Sequence, residues 1–300
     1  MSTSSSLRLA PLIVGEVLFD QFEDGRKILG GAPFNVAWNL RGLQQRPTFV
    51  SAVGDDLDGK TIRQRMAQWN MDLVGLQTLP GQRTGTVEVS LDQGQPSYEI
   101  VFPCAYDFIR PVPLFESADS FSLLYHGSLA LRGEQSRETI TRLGRQAAAA
   151  QVPRFVDINI RQPWFDRQWL PVLVQDAKFV KLNDEELEWL SSMPCQTDDQ
   201  ILRAVQSFRD QHGGEVYFIT CGSRGAYAIE GDQLTFAAAP KPDVMVDTVG
   251  AGDGFAAATI DGLLRALPYQ EVLDRAVQFA ARICTLHGAT TTDENVYRTI

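Results

Sequence analysis

Two kinds of apolar periodicity divide the chain. Short unbroken apolar runs, each followed by a segment of helical spacing, recur over most of its length, whereas a period-2 alternation is confined to the first third. The run at 9–14 predicts a first strand, and 49–53, after Pro47, a second. Between them 33–43 reads as a helix with proline in its first turn, where its missing N–H is no loss. A second helix is predicted over 59–70, after an acidic loop. Segments 84–91 and 97–102 alternate with period 2 and flank Gly94, as an antiparallel hairpin does. From residue 134 onward the pattern changes. Helices are predicted over 134–151, 166–174, 184–190, 198–212, 252–267 and 270–287, and strands over 154–158, 179–182, 216–220, 225–230 and 233–237. Strands alternating with helices imply an α/β fold with a mostly parallel sheet covered on both faces. The alternating segments do not fit that core and predict a small separate sheet, packed as a cover over a site.

Composition narrows the class. The chain has 300 residues, 44% hydrophobic and 21% charged, an ordinary balance for a chain with a large core. Its formal net charge of −10 suits neither phosphate backbones nor anionic membranes, so nucleic acid and membrane are not expected partners. No apolar run reaches the roughly 18 residues a bilayer span needs. The first apolar stretch lacks a cleavage site, so it reads as a strand and not a signal peptide. Four scattered cysteines and three histidines argue against a zinc site and a disulfide scaffold, and a cytoplasmic location is expected.

Two segments carry candidate phosphate chemistry. Residues 54–61, GDDLDGKT, are a literal Walker A match placed between a strand and a helix. Asp55, Asp56 and Asp58 would repel a polyphosphate there, each like-charge pair costing about 1–4 kcal/mol at 4 Å. The segment therefore reads as an acidic helix start. The second candidate, DTVGAGDGF at 247–255, opens an Ala-rich helix. Gly250, Ala251 and Gly252 would present backbone N–H groups at a helix N-terminus, a ready anion site. Asp253 lies inside that positive region, able to take a proton from a hydroxyl while the N–H groups stabilise a transferring phosphoryl group. An isolated G-x-G-D is more often a tight turn with a first-turn cap, and it is the full nine-residue run that favours the functional reading of Asp253.

The chain as a whole resembles the ribokinase-like (PfkB) carbohydrate kinases. DTVGAGDGF is similar to that family's C-terminal signature without a mismatch. GGAPFNVA at 30–37, followed by VGDD at 53–56 and Gly59, is similar to its N-terminal block, and GEVLFD at 15–20 to its opening strand. DINIR at 157–161, NDEE at 183–186 and TCGSRG at 220–225 are similar to its internal motifs. The resemblance implies one kinase domain over 1–300. Its fold would be a ribokinase-like three-layer sandwich with a central, mostly parallel sheet and a small β-sheet lid, the lid strands lying at about 16–29 and 84–102.

Position by position, the resemblance makes Asp253 the catalytic base and Gly250, Ala251 and Gly252 the anion hole. It puts Asp20, Gly30, Gly31, Asn35, Tyr106 and Arg161 on the sugar, and Asn183, Thr220, Gly222 and Gly225 on the nucleotide. Glu186 orders Mg²⁺ through water in this scheme, and Asp247 with the Val249 carbonyl belongs to a monovalent-cation site, for instance for K⁺. The implied ligands are ATP, Mg²⁺ and a small-molecule sugar, and the implied assembly a homodimer through the lid. GGAPFNVAWNL, AYDFI at 105–109 and GSL at 127–129 with Arg132 are most similar to bacterial fructokinases, which makes D-fructose the expected acceptor. Phe34, Tyr106 and Phe108 either wall the ketose or belong to the core. Ribokinase, 2-keto-3-deoxygluconate kinase, a silent sugar or nucleotide sensor on the same fold, and a P-loop NTPase using Lys60 are the alternatives.

Overall fold

The computed structural model describes residues 10–92, 95–112, 121–241 and 244–298. Strand β1 (Ala10–Val14) runs between two parallel neighbours, β4 (Thr48–Gly54) and β8 (Phe121–His126). β4 carries β5 (Leu76–Leu79) at one edge of the sheet. On the other side β8 leads through β9 (Arg154–Asp157), β10 (Phe179–Asn183) and β11 (Val216–Thr220), all parallel. Two antiparallel strands, β12 (Gly225–Glu230) and β13 (Gln233–Ala238), finish this nine-stranded sheet. The expected α/β fold with a large, mostly parallel sheet is thus what the chain adopts.

Alternate residues of the central strands go to opposite faces. Leu12 and Val14 of β1 join one apolar cluster, packed under helices α3 (Glu134–Ala149), α5 (Asp184–Ser191) and α6 (Asp198–His212). Ile13 joins the other, under α1 (Ala32–Gly42), α2 (Leu57–Gln68), α7 (Ala251–Leu264) and α8 (Tyr269–Ile283). α1 is apolar nearly all round because it is sandwiched between the sheet and α7. A short helix, α4 (Leu170–Val174), follows a 3₁₀ turn where the sequence predicts one helix over 166–174.

The period-2 segments form a second sheet. β6 (Gly85–Asp92) pairs antiparallel with β7 (Gln95–Ile100), and β2 (Leu18–Phe22) lies parallel to β6 and antiparallel to β3 (Lys27–Gly30). The order is β3-β2-β6-β7, and Val87 and Val89 point to its buried face. The expected turn at Gly94, and Leu9 of the first strand, lie outside the described residues.

Candidate active site

The site lies where the strand order reverses. β1 is the switch point of the large sheet, and crevices beyond the carboxyl ends of such strands are where α/β proteins bind ligands. A cavity of about 1180 Å³ opens there, bounded by the small sheet on one side and by the start of α7 on the other. Glu16 follows β1, Asn159 and Arg161 follow β9, Asn183 ends β10 and Thr220 ends β11, and all five line it.

Of the residues implicated by sequence, Asp20, Gly30, Gly31, Asn35, Arg161, Asn183, Glu186, Thr220, Gly222, Gly225, Val249, Gly250, Ala251, Gly252 and Asp253 all line this one cavity. They come from both ends of the chain. Asn35 on α1 donates from Nδ2 to Oδ2 of Asp253 on α7 at 2.7 Å, bridging 218 positions. Gly31, with φ of 106°, caps α1 so closely against β1 that a Cβ there would lie 2.8 Å from the Glu16 carbonyl. Gly250 caps α7 with φ of 81°, and a Cβ would collide with Ala289.

Burial deep in the cavity pushes the Asp253 carboxyl up to about 6, although the Asn35 hydrogen bond, Lys181 and Arg161 draw it down. Asp20 is also pushed up to about 6 by burial, against the pull of Arg161. Arg161 is thus the cation shared by these acids. A carboxylate poised near the working pH is suited to accept a hydroxyl proton.

The anion site differs from the expectation in one donor. The Ala251 N–H is engaged by the Thr248 carbonyl at 3.2 Å, which leaves Gly250 and Gly252 as the free donors of the expected three. Behind them stands Lys181, buried in the sheet, its Nζ 3.6 Å from where a Cβ on Gly252 would be. Burial works against that charge, but Asp157 and Glu186 outweigh it and hold the ammonium above its ordinary value.

Glu186 occupies the N3 position of α5. Its Oε2 accepts from Asn183 N–H at 2.9 Å and its Oε1 from Ile160 N–H at 2.7 Å, a capping box extended to the loop after β9. Burial raises its pKa, while Lys181 and those N–H groups restrain it. Each carboxylate oxygen keeps a lone pair free for a metal-bound water. One carboxylate with a free lone pair on each oxygen suits Mg²⁺, which keeps most of its waters and arrives with phosphates.

Tyr106 is a correction. It is fully buried and lies off the cavity wall, under Gly85 of β6 and against the Arg132 guanidinium, 4.9 Å from its ring centroid. Phe34 is likewise a core residue. The apolar wall comes instead from Leu18, Ile28, Val87 and Ile100 of the small sheet. Asp247 also stands off the wall, its Oδ1 accepting from Val249 N–H at 3.0 Å. Sequence reasoning missed Glu16 and Lys181, whose only local signal is a charged residue just beyond a strand or inside one.

The Walker A match is not a phosphate cradle. The Asp56 carboxylate fills the turn, accepting from Gly59 N–H at 2.7 Å and from Thr84 N–H and Oγ1 at 2.8 and 2.6 Å. Burial opposes its charge, but these bonds win and lower its pKa. Lys60 is exposed and pairs with Asp55 at 3.3 Å. Lys60→Ala is therefore expected to leave ATP affinity within about twofold, since exposed ion pairs contribute about 0–1 kcal/mol; titration calorimetry checks this.

Fold and site together define a phosphotransferase with an alcohol group as acceptor. A profile described as "pfkB family carbohydrate kinase" matches residues 13–295, and the chain belongs to that family. A fructokinase of Klebsiella pneumoniae is 32% identical over 264 residues, covering 84% of this chain and 83% of its own. A structure of Arabidopsis thaliana ribokinase complexed with ribose and ATP superposes with a TM-score of 0.84 at 20% identity, covering 97% of this chain and 98% of that one. A Vibrio cholerae O395 fructokinase double mutant, in a fructose-, ADP- and potassium-ion-bound form, gives a TM-score of 0.77 at 26% identity, with 97% and 98% coverage.

Proposed function

We propose that this sugar kinase transfers the γ-phosphoryl group of ATP to the primary hydroxyl of D-fructose. The observation that carries the transfer is the Asn35–Asp253 bond, which brings a carboxylate beside the free N–H groups of Gly250 and Gly252 in one cavity. Fructose as acceptor is favoured by the likeness to the Klebsiella and Vibrio fructokinases.

The sugar lies between Asp20, Gly30, Gly31, Asn35 and Arg161 under the apolar face of the small sheet. Carboxylate and amide groups each pair with several hydroxyls. ATP lies along Asn183, Thr220, Gly222 and Gly225. Mg²⁺, when bound, neutralises charge on the phosphates and would be held through Glu186. The small sheet closes as a lid and excludes water, which would otherwise accept the phosphoryl group. Asp253 takes the proton of the primary hydroxyl as its oxygen attacks in line. Gly250 and Gly252 N–H groups, with Lys181 behind them, stabilise the charge on the transferring group. Asp247 and the Val249 carbonyl would hold a monovalent cation beside this loop, and a homodimer joined through the lid belongs to the same reading.

ADP release with Mg-ATP and K⁺ tests it, using D-fructose, D-ribose, 2-keto-3-deoxygluconate, tagatose, adenosine and no acceptor. Fructose is expected to give the highest kcat/KM, by at least about tenfold, the discrimination that one matched hydroxyl supplies. Faster turnover of another member would overturn the fructose assignment.

A further inference from the structure

The roles given above to Asp20, Asn35 and Asp253 leave one buried acid of the same cavity unused. Glu16 sits directly beyond β1, at the switch point of the sheet. It is 3% exposed and forms part of the cavity wall. Its Oε2 has no hydrogen-bond partner, and neither does Oδ1 of Asn35 on the same wall. A buried polar atom left unpaired is costly, and two of them on side chains that line one cavity mark a place where a ligand completes both once the side chains turn toward it.

The surroundings keep Glu16 in place and limit what it can bind. Its backbone is clamped against Gly31, so it cannot shift away from the start of α1, where Asn35 is seated. The charges that face it are Arg161, Arg132 and Asp253. Arg132 is paired with Asp107, and among the described residues neither arginine makes an ion pair with Glu16 within 4.0 Å. Burial pushes its carboxyl up to about 7, with its own backbone N–H and the two arginines drawing it down and Asp253 adding to the rise. Near neutrality such a group can accept a hydrogen bond or give one. A sugar hydroxyl, which does both, matches it in either state, whereas a carboxylate or phosphate ligand would be repelled by its ionised form.

We propose that Glu16 is a specificity-determining residue for the acceptor, its free Oε2 pairing with a sugar hydroxyl other than the one phosphorylated, beside the hydroxyl held by Asn35 Oδ1. This rests on the sugar-kinase reading of the cavity. It gives the site a substrate contact in addition to those the sequence motifs imply.

The test crosses enzyme variants with substrate analogues. Wild type, Glu16→Gln and Glu16→Ala are assayed on the best sugar and on its monodeoxy analogues, one hydroxyl removed at a time. For the full sugar, Glu16→Ala is expected to lower kcat/KM by roughly 10- to 100-fold, mainly through KM. Glu16→Gln, which keeps an acceptor and a donor, should stay within about fivefold of wild type. On one monodeoxy analogue, wild type and Glu16→Ala should be equal, because the partner hydroxyl is gone. The same loss on every analogue, or no loss on any, overturns the assignment. If Glu16→Ala does not fold, Glu16→Met, which keeps the bulk and removes both oxygens, is assayed in the same way, and the same loss on every analogue, or no loss on any, overturns the assignment. A wild-type enzyme that phosphorylates a sugar without this coupling refutes the role of Glu16 alone. A wild type that phosphorylates none of the sugars refutes the reading on which it rests.

Discussion

Asp253→Asn is expected to lower kcat by about 10²- to 10⁴-fold, the contribution of a positioned general base, while leaving ATP binding and the sugar KM within a few-fold. The amide keeps the shape and can still accept from Asn35, so the contacts around residue 253 survive the change. The pH profile sharpens the test. Asp253 must be ionised to take the proton, so wild-type kcat should rise with pH through about 6 and then level. Stability should move the opposite way. The folded-state value of about 6 lies above the ordinary 3.8, so the folded protein binds the proton more tightly than the unfolded chain does. Protonated Asp253 thus favours the fold at low pH, and this contribution is lost as pH rises from about 4 to about 6. Above that window the fold carries a buried charge that asparagine lacks. Asp253→Asn should therefore be more stable at neutral pH, by roughly 1–3 kcal/mol, or a few degrees in Tm. Scanning calorimetry at pH values on both sides of the window checks the sign. A variant that turns over normally would remove Asp253 from the role of base, and one that loses stability at neutral pH would show that burial does not raise its carboxyl.

How much of this site could be read from the chain depends on how local each signal is. DTVGAGDGF carries its meaning within nine residues, because small residues and an acid at a helix start are a local statement about donors and charge. The alternation in 84–102 likewise announced a sheet with one exposed face, and β6 and β7 form it. The meeting of Asn35 with Asp253 is not local in that sense; it reached the sequence reading through the resemblance. Strands β5 and β8 went unpredicted for different reasons: LQTL is a four-residue edge strand with two polar residues in its middle, whereas in FSLLYH burial on both faces erases period 2. Tyr106 misled for the same kind of reason. An aromatic next to lid strands is as compatible with the wall as with the core, and it is the missing side chain of Gly85 that lets its ring tuck beneath β6. Ala251 shows the limit of the helix-start argument: a free N–H in an ideal terminus can be claimed by a preceding carbonyl, as Thr248 does here.

Lys181 is where sequence reading failed most and where the second large effect is expected. It lies directly opposite Asp157 across β9 and β10, with Nζ 2.9 Å from each carboxylate oxygen and the two side chains 7% and 1% exposed. Lys181→Met keeps the length of the side chain and removes the charge. Asp157 is then left with only the Tyr125 hydroxyl at 3.4 Å, a weak partner for a buried carboxylate. A loss of about 3–5 kcal/mol is expected, visible as a clear drop in the urea midpoint. Replacing both partners, Lys181→Met with Asp157→Leu, should recover most of it, because an apolar pair has no charge to strand. A double variant as unstable as the single one would show that packing, not charge pairing, sets the cost. The recovered protein also separates structure from chemistry. With the fold restored but the ammonium behind Gly252 gone, the transferring phosphoryl group loses a fixed positive charge in a water-poor cavity. kcat should stay about 10- to 100-fold low while the sugar KM is unchanged. Full recovery of both stability and turnover would make the pair a structural element alone.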